Sequence, residues 1–216
     1  MNIEKMDEFF TKRVKIYDEY MLNVVGCRQG YKKMATLIPP HTKNLLDLGC
    51  GTGLELDEIF KVYPDINVTG IDLTQAMLNE LKRKYSNKNL DLICGNYFNI
   101  DFGKRIFDVT ISFETPHHFK HQQKLTIYKK IYESLISNGV YIECDYFAIN
   151  QLEENFNFIQ RDQFYTKNNI QEYQLYHYDT PLTTENEIAL LIKAGFRNVK
   201  KVWQIGQTAI IVAKNI

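Results

Sequence analysis

The sequence has few cysteines, and none of them form a metal-binding pair. Cys27, Cys50, Cys94 and Cys144 are scattered among 216 residues. A disulfide framework or a cysteine-type zinc site would place cysteines in close pairs such as Cys-x-x-Cys. The sequence therefore predicts neither.

Net charge and long apolar runs are lacking as well. The chain has 26 Lys and Arg against 26 Asp and Glu, so no global electric field attracts nucleic acid or an anionic membrane. No apolar run approaches the length of a membrane-spanning helix, and residues 1–5 do not begin a signal sequence. We expect a soluble, cytoplasmic protein, monomeric or homodimeric, that acts on neither nucleic acid nor membranes.

A glycine-rich turn is the most informative motif that is present. Residues 44–48 form an apolar run, Gly49-Cys50-Gly51-Thr52-Gly53 follows, and residues 54–62 have the spacing of an amphipathic helix. Because glycine has no Cβ, such a turn lets the backbone approach a ligand, and the helix that follows offers unpaired N–H groups. The motif predicts a loop that binds a nucleotide-type ligand.

Two acidic residues narrow the choice of ligand. Asp72 ends the next predicted strand, 19 residues after Gly53, where a carboxylate accepts hydrogen bonds from a ribose diol. Asp47 precedes the first glycine, where a carboxylate suits an ammonium group better than a phosphate, or else fixes the turn. The spacing Gly-x-Gly-x-Gly departs from the dinucleotide pattern Gly-x-Gly-x-x-Gly, which disfavours a nicotinamide-dependent oxidoreductase.

At this point the sequence resembles the class I, Rossmann-like S-adenosylmethionine (SAM)-dependent methyltransferases. The resemblance covers essentially the whole chain from Asp7 onward. It rests on four motifs in order: residues 47–53, residues 70–74 with Met77, residues 94–97, and residues 107–109 followed by 113–119. It implies an enzyme that takes a methyl group from its cofactor SAM and releases S-adenosylhomocysteine (SAH).

The hydrophobic spacing predicts an α/β fold. We expect a single doubly wound, mostly parallel seven-stranded sheet with helices on both faces and an antiparallel last strand. Strands are predicted over residues 44–48, 66–71, 90–94, 107–112, 140–144, 199–203 and 208–213, and helices over 3–23, 29–37, 54–62, from Thr74, around 125–135 and from 184 to 195. Thr184 and Glu187 form a candidate capping box for the last helix.

One domain is expected, with four parts. Residues 1–40 would form an N-terminal helical lid, 41–148 the Rossmann-like cofactor-binding core, 149–182 an aromatic-rich helical cap insertion, and 183–216 the last helix with the closing strands. In the family, such an insertion covers the acceptor pocket.

The resemblance and the loop chemistry together assign the cofactor contacts. The glycine turn would follow the methionine and ribose, Asp47 the ammonium group and Asp72 the ribose hydroxyls. Asn96 would accept a hydrogen bond from the adenine amino group, although many family members carry aspartate there. The complete set is Asp47, Gly49, Cys50, Gly51, Gly53, Asp72, Leu73, Met77, Asn96, Tyr97, Phe113, Glu114 and Arg13, where Arg13 closes over the cofactor or only stabilises its helix.

The acceptor side is predicted from residues beyond the fourth and fifth strands. His117 and His118 are the candidate catalytic residues, because histidine titrates near neutrality and could take a proton from a hydroxyl or amine. Adjacent loop side chains seldom point the same way, so one histidine is expected to serve; a purely structural hydrogen bond is the alternative. Candidate substrate contacts are Tyr17, Asp145, Tyr146, Tyr176 and Tyr178.

The favoured interpretation is methyl transfer to an oxygen or nitrogen of a small molecule. Methylation of a protein or RNA site, and a SAM-binding module without turnover, are the alternatives. No metal site is predicted, since His117 and His118 are adjacent rather than spaced along one helix face. The Asn/Asp-Pro-Pro-Tyr/Phe motif of methyltransferases that act on nucleic-acid bases is missing.

Overall fold

Seven strands form one sheet in this computed structural model, which describes residues 4–216. The strands are β1 (Asn44–Leu48), β2 (Asn67–Asp72), β3 (Leu90–Cys94), β4 (Phe107–Phe113), β5 (Leu135–Tyr146), β6 (Arg197–Ile205) and β7 (Thr208–Lys214). They lie in the order β3-β2-β1-β4-β5-β7-β6. Strands β1 to β5 pair in parallel, whereas β7 is antiparallel to both β5 and β6. The predicted sheet is confirmed, including its antiparallel last strand.

Helices cover both faces of the sheet. They are α1 (Met6–Asn23), α2 (Val25–Ala35), α3 (Leu54–Val62), α4 (Gln75–Lys84), α5 (His121–Ser134), α6 (Gln151–Lys167) and α7 (Thr184–Ala194), with a 3₁₀ turn at Pro116–His118. The first helix was predicted from residue 3, and Ile3 lies outside the described residues. Among residues 4–216, no helix combines the length and the apolar character needed to cross a bilayer.

The central strands are buried on both faces, which explains their nearly continuous apolar sequence. Leu45 and Leu46 of β1 are neighbours in sequence and both are completely buried, but they belong to different hydrophobic clusters on opposite sides of the sheet. Successive side chains of a strand point to opposite faces, and a parallel sheet between two helical layers needs apolar residues on each.

The predicted capping box of the last helix is wrong. Thr183 is the N-cap of α7, and its hydroxyl accepts a hydrogen bond from the Asn186 N–H at 3.3 Å. Glu187 is buried, and its carboxylate accepts hydrogen bonds from Lys124 Nζ, at 2.5 Å, and from the Tyr128 hydroxyl. The local sequence places two threonines side by side and gives no sign of a partner on α5, so the spacing misled the prediction.

Helix α1 is attached at both ends across the carboxyl edge of the sheet. Near its start, the Met6 N–H donates to the Leu175 carbonyl at 3.0 Å, which joins α1 to the segment after α6. Near its end, Asp18 accepts a hydrogen bond from the Thr52 hydroxyl and an ion pair from Lys84 Nζ at 2.9 Å. Because parallel strands of an open α/β sheet bind ligands at this edge, α1 covers the expected binding region.

Candidate active site

The glycine turn after β1 has the strained backbone that glycine alone adopts readily. Gly49, Gly51 and Gly53 have φ values of 70°, 48° and 74°. A Cβ atom added to Gly49 would lie 2.7 Å from the Thr115 hydroxyl oxygen, so a side chain there would clash with the loop after β4. Glycine at position 49 therefore allows the turn to pack closely against that loop.

Asp72, at the end of β2, holds this turn in place. Its Oδ2 accepts a hydrogen bond from the Gly51 N–H at 2.9 Å, and its Oδ1 accepts one from the Thr74 N–H at 2.7 Å. Burial raises the pKa of Asp72 to about 6, although both backbone hydrogen bonds oppose the rise. Each oxygen keeps a lone pair that can accept a further hydrogen bond from a ligand.

A first cavity lies between the glycine turn, β2 and the loops after β3 and β4. Its free volume is about 50 Å³. Nine of the predicted cofactor residues line it: Gly49, Gly51, Asp72, Leu73, Met77, Asn96, Tyr97, Phe113 and Glu114. Cys50 and Gly53 line a smaller cavity beneath the same turn. The four sequence motifs thus converge on one place.

Two buried carboxylates stand beside the turn. Asp47 and Glu55 are 1% and 5% exposed. Neither oxygen of Asp47, nor Oε1 of Glu55, has a hydrogen-bond partner among residues 4–216. Burial, followed by the charge of Glu55, raises the pKa of Asp47 well above its usual range, and burial raises that of Glu55 to about 7. Without a ligand these carboxyl groups tend to hold a proton, and a cation bound beside them would favour their charged forms.

A second, larger cavity adjoins the first. Its volume is about 540 Å³, and it lies between α1, the 3₁₀ turn and the segment after α6. Phe10, Tyr17, Glu114 and His118 line both cavities. The two spaces therefore meet at these four side chains.

His117 is held by a carboxylate behind it. Its Nδ1 donates to Asp145 Oδ1 at 2.5 Å, and its backbone N–H donates to Asp145 Oδ2 at 2.8 Å. Burial alone would lower the pKa of His117, but the charge and hydrogen bond of Asp145 outweigh it and raise the pKa to about 9. The ring orientation is fixed, and Nε2 is directed toward Asp179, 3.6 Å away.

His118 and Asp179 face each other across the second cavity. His118 Nδ1 lies 3.0 Å from Asp179 Oδ1. Burial, and then the charge of His117, lower the pKa of His118. The pKa of Asp179 is lowered in spite of burial, because His118 and the other two histidines nearby favour its charged form.

Glu114 lies at the junction of the cavities in a left-handed conformation, with φ of 51°. Its Oε1 accepts a hydrogen bond from the Cys27 thiol at 3.5 Å. Burial, followed by the charge of Asp145, raises the pKa of Glu114 to about 8. The junction therefore holds a carboxyl group that a nearby positive charge would ionise.

Comparisons with known proteins agree with this geometry. Residues 45–139 match a family model described as a methyltransferase domain. Carboxy-S-adenosyl-L-methionine synthase of Campylobacter fetus is 25% identical over an alignment of 229 residues that covers 98% of this chain and 95% of the relative. Malonyl-[acyl-carrier protein] O-methyltransferase of Priestia megaterium is 27% identical over 140 residues, 64% of this chain and half of the relative.

The same architecture occurs in the crystal structure of human N-acetylserotonin methyltransferase in complex with SAM. The TM-score is 0.67 at 19% identity, over 95% of this chain and 55% of the human chain, so this protein spans little more than half the human enzyme's length. At this identity the likeness concerns the fold. The chain carries a class I SAM-dependent methyltransferase domain.

The residues of this methyltransferase fit its cofactor SAM and the product SAH. The unpartnered carboxylates of Asp47 and Glu55 suit the ammonium group of the methionine portion. Asp72 retains lone pairs for the ribose hydroxyls. When bound, SAM supplies a methyl group that its sulfonium has already activated, so the chain's own residues have to orient the acceptor and exclude water.

Asn96 keeps one acceptor position for the adenine. Its Oδ1 already accepts a hydrogen bond from the Phe98 N–H at 2.9 Å. A carbonyl oxygen has two lone pairs, so the predicted bond to the adenine amino group can still form. Tyr97 is buried behind Asn96, and its hydroxyl lies 3.3 Å from the Thr115 hydroxyl.

The methyltransferase places several predicted residues differently. Arg13, predicted at the cofactor, lines the acceptor-side cavity; its guanidinium stacks 3.6 Å over Phe9 and pairs with Glu4 at 2.9 Å. Asp145, predicted to touch substrate, is 1% exposed behind His117. Tyr17 and Tyr146 do line the larger cavity.

Tyr176 and Tyr178 turn away from both cavities. Their rings lie near Tyr165 and Phe164 of α6, with ring centroids 6.4 and 5.2 Å apart. His177 and Asp179 line the larger cavity instead. Successive residues of an extended segment point to opposite sides. Once either His177 or Asp179 is known to face the cavity, the alternation places the other there as well.

Several residues that line the cavities have no recognisable signature in the sequence. Met6, Phe10 and Leu175 line the cofactor cavity from α1 and from the segment after α6. Their apolar character is that of ordinary core residues. Glu55 is the second residue of α3 and lies in its first turn, where an acidic residue also favours the helix dipole, so its second role could not be recognised from sequence.

Proposed function

We propose that this methyltransferase transfers the methyl group of SAM to an oxygen or nitrogen atom of a small-molecule acceptor. The observation that carries the proposal is the junction of the two cavities at Phe10, Tyr17, Glu114 and His118. A methyl group that leaves the cofactor cavity there enters the larger cavity directly, where an acceptor can be aligned with it.

The size and lining of the larger cavity favour a small acceptor. A volume of about 540 Å³ lies within the range of small-molecule sites. Its rim offers Arg13, which is already paired with Glu4, and the acidic groups Glu114 and Asp179. A protein or RNA substrate would call for a more open or a basic rim.

His118, whose pKa is lowered, is the group that takes a proton from the acceptor atom, and His117, whose pKa is raised to about 9, lies beside it. Asp145 acts on the reaction through His117, whose orientation it fixes, and is a positioning residue. Tyr17 and Tyr146 contact the acceptor. The remaining aromatic side chains of α1 exclude water from the junction, which prevents loss of the methyl group to solvent.

The proposal is tested with a panel of hydroxyl and amine compounds, SAM and the purified protein, followed by mass spectrometry of the products. We expect one class of compound to gain a methyl group, with SAH formed in equal amount. The rate should fall at least tenfold in His118→Ala and remain unchanged in Tyr178→Phe, because Tyr178 packs toward Phe164. An unchanged rate of methyl transfer in His118→Ala would contradict the role assigned to His118.

Formation of a carboxylated SAM is a second candidate, favoured by the match to the Campylobacter synthase over almost the full length of both chains. A carboxylate on the methyl carbon would lie beside Glu114 and Asp179, whereas the nearest guanidinium, on Arg13, is tied to Glu4. The lowered pKa of Asp179 keeps it charged, so it would repel a second carboxylate, and this arrangement favours methyl transfer. Mass spectrometry of SAM-derived products separates the two reactions.

A SAM-binding module without turnover is the third candidate. It predicts calorimetric binding of SAM and SAH, with neither SAH production nor a carboxylated product under any condition of the panel. The fixed orientation of His117 and the large adjoining cavity favour an enzyme.

A further inference from the structure

We propose that His117, His118 and Asp179 bind a divalent transition-metal ion in the acceptor cavity, and that this ion coordinates the acceptor's hydroxyl oxygen. The proposal rests on the proposed function and names its acceptor class. The sequence did not predict a metal site because the third ligand comes from a distant part of the chain. The fold brings it to the two histidines.

The three ligand atoms lie close together, and the His118–Asp179 separation is one that a shared ion requires, whereas the His117–Asp179 separation is slightly longer. His118 Nδ1 and His117 Nε2 lie 3.0 and 3.6 Å from Asp179 Oδ1, and all three atoms are within 4.8 Å of one another. An ion about 2.1 Å from each ligand, with angles of about 90° to 110° between its bonds, sets neighbouring ligand atoms roughly 3.0 to 3.4 Å apart.

His118 and Asp179 are close, but the geometry of a hydrogen bond between them is poor. Although the two atoms are 3.0 Å apart, neither His118 Nδ1 nor Asp179 Oδ1 has a hydrogen-bond partner within the described part of the chain. The His118 side chain is 4% exposed, so water does not readily satisfy it. An ion bound to Nδ1 in the plane of the His118 ring would lie on the axis of the nitrogen lone pair, and the Asp179 oxygen would lie to one side of that axis. This explains why the two atoms are close but not aligned for a hydrogen bond.

Hydrogen bonds from neighbouring residues hold the three candidate ligands in position, as is common around metal sites. Asp145 binds Nδ1 of His117 and leaves Nε2 free for the cavity, which is the carboxylate–histidine arrangement that supports metal-binding imidazoles. The His117 carbonyl accepts hydrogen bonds from the N–H and the hydroxyl of Thr180, at 2.7 and 3.1 Å. Since Thr180 follows Asp179, these bonds fix Asp179 opposite the histidines.

Formal charges also balance with an ion present. Asp145, Glu114 and Asp179 carry three carboxylates around the junction. A dication together with the sulfonium of SAM supplies three positive charges. Asp145 and Glu114 are largely buried and need such compensation, whereas Asp179 is partly exposed.

Two imidazole nitrogens and one carboxylate oxygen form a ligand set used by catalytic zinc and non-haem iron sites, which leave positions open for substrate. A hydroxyl bound there loses its proton more readily, and this proton passes to water. The oxygen then forms a bond to the methyl carbon as the carbon–sulfur bond breaks, and sulfur keeps the electron pair in SAH. An amine would lose its only lone pair to the ion, so the site selects oxygen.

The test is metal binding itself. The protein is stripped with a chelator, and Zn²⁺ affinity is measured by competition with a chromophoric chelator. Reloading with Co²⁺ then reports the ligands through its visible absorption. We expect one ion per chain, with affinity at least tenfold weaker in His118→Ala and in Asp179→Ala. His121→Ala is the matched control, since His121 is half-exposed at the start of α5, and its affinity should equal that of the native protein.

Circular dichroism and calorimetry with SAM establish that each variant is folded. Native protein that binds SAM but neither Zn²⁺ nor Co²⁺, or equal ion affinity in native, His118→Ala and Asp179→Ala proteins, overturns the proposal. Methyl transfer that persists in the stripped protein overturns it as well and leaves the proposed function intact. Conversely, Co²⁺ bands that depend on His118, without methyl transfer to any compound, would support the site and count against the proposed function.

Discussion

The Gly51 N–H donates a hydrogen bond to the Asp72 carboxylate at 2.9 Å, which joins the end of β2 to the glycine turn after β1. The Asp72 side chain thus holds the glycine turn in place, and we expect the same side chain to contact the ribose of the cofactor. Changes at Asp72 should affect the binding of SAM and SAH alike, because both contain the ribose.

Asp72→Ala should weaken the binding of SAM and of SAH about ten- to a hundredfold. The substitution removes the ribose acceptor and leaves the N–H groups of Gly51 and Thr74 without their partner, a loss of roughly 1.4 to 2.8 kcal/mol. Calorimetry measures both affinities. Asp91→Ala, at an exposed position of β3, is the control and should bind as the native protein does. Unchanged affinity in a folded Asp72→Ala protein would place the ribose elsewhere.

Glu55→Gln should stabilise the unliganded protein at pH 8 but not at pH 5. The folded-state pKa of Glu55 is about 7, raised from an ordinary value of 4.5. A raised carboxyl pKa contributes stability below the unfolded pKa, and that stability is lost as pH rises through 7. Glutamine does not titrate, so the difference in unfolding free energy should grow by up to about 3 kcal/mol across this window.

Denaturant unfolding at several pH values measures this difference, and calorimetry should show weaker SAM binding by Glu55→Gln. Glu58→Gln serves as the control because Glu58 lies on the same helix and pairs with Lys61 at the surface. A pH profile of Glu55→Gln that parallels the native one would show that Glu55 is already ionised in the folded protein at pH 5.

Asp18→Ala should speed SAM dissociation about fivefold. Asp18 joins α1 to Thr52 and Lys84, and α1 supplies Met6, Phe10 and Tyr17 to the cofactor cavity. Because α1 covers this cavity, we expect α1 to move when SAM exchanges. The ion pair is partly exposed, which limits its contribution to about 1 kcal/mol. Stopped-flow displacement by SAH measures the rate.

Glu80→Gln is the matched control for this experiment. It breaks an ion pair with Arg83 on the exposed face of α4 without touching α1. An equal increase of the dissociation rate in both variants would attribute the effect to α4 rather than to the attachment of α1.

Lys124→Met should destabilise the protein by about 3 to 5 kcal/mol. Lys124 and Glu187 are 1% and 0% exposed and lie 2.5 Å apart, so the substitution leaves a buried carboxylate without its ion pair. Thermal and denaturant unfolding measure the loss. The double variant Lys124→Met/Glu187→Leu should recover most of it, since it removes both charges; failure to recover would indicate that packing dominates.

Tyr146→Phe should lower kcat/KM about tenfold once an acceptor is known, because Tyr146 lines the acceptor cavity and offers a hydroxyl. Tyr176→Phe should leave kcat/KM unchanged, since Tyr176 packs toward Tyr165. Steady-state kinetics under identical conditions compare the two. A loss of kcat/KM in Tyr176→Phe but not in Tyr146→Phe would mean that Tyr176, and not Tyr146, faces the acceptor cavity.

The sequence identified the features that local chemistry determines. The bounds of β1, α3 and β3 agree with the predicted 44–48, 54–62 and 90–94, because apolar runs, a glycine turn and helical spacing each leave a mark within a few residues. The cofactor side could be predicted for the same reason. Its residues follow directly after strands, in fixed motifs.

The rest depends on contacts between distant elements. The pair Lys124–Glu187, the attachment of Asp18 to Lys84 and the approach of Asp179 to His118 join residues on different elements. A single sequence shows neither their proximity nor which side of an extended segment turns inward. For that reason the sequence predicts Glu187 in a helix cap, and Tyr176 and Tyr178 as substrate contacts, which the structure does not confirm.

The most direct test of the account follows the labelled methyl group. The protein is incubated with methyl-labelled SAM and an extract of its source cells, separated beforehand into small molecules, protein and RNA. We expect protein-dependent label in the small-molecule fraction, reduced at least tenfold with His118→Ala. Label in the protein or RNA fraction, or in none of the three although SAM is bound, would contradict it.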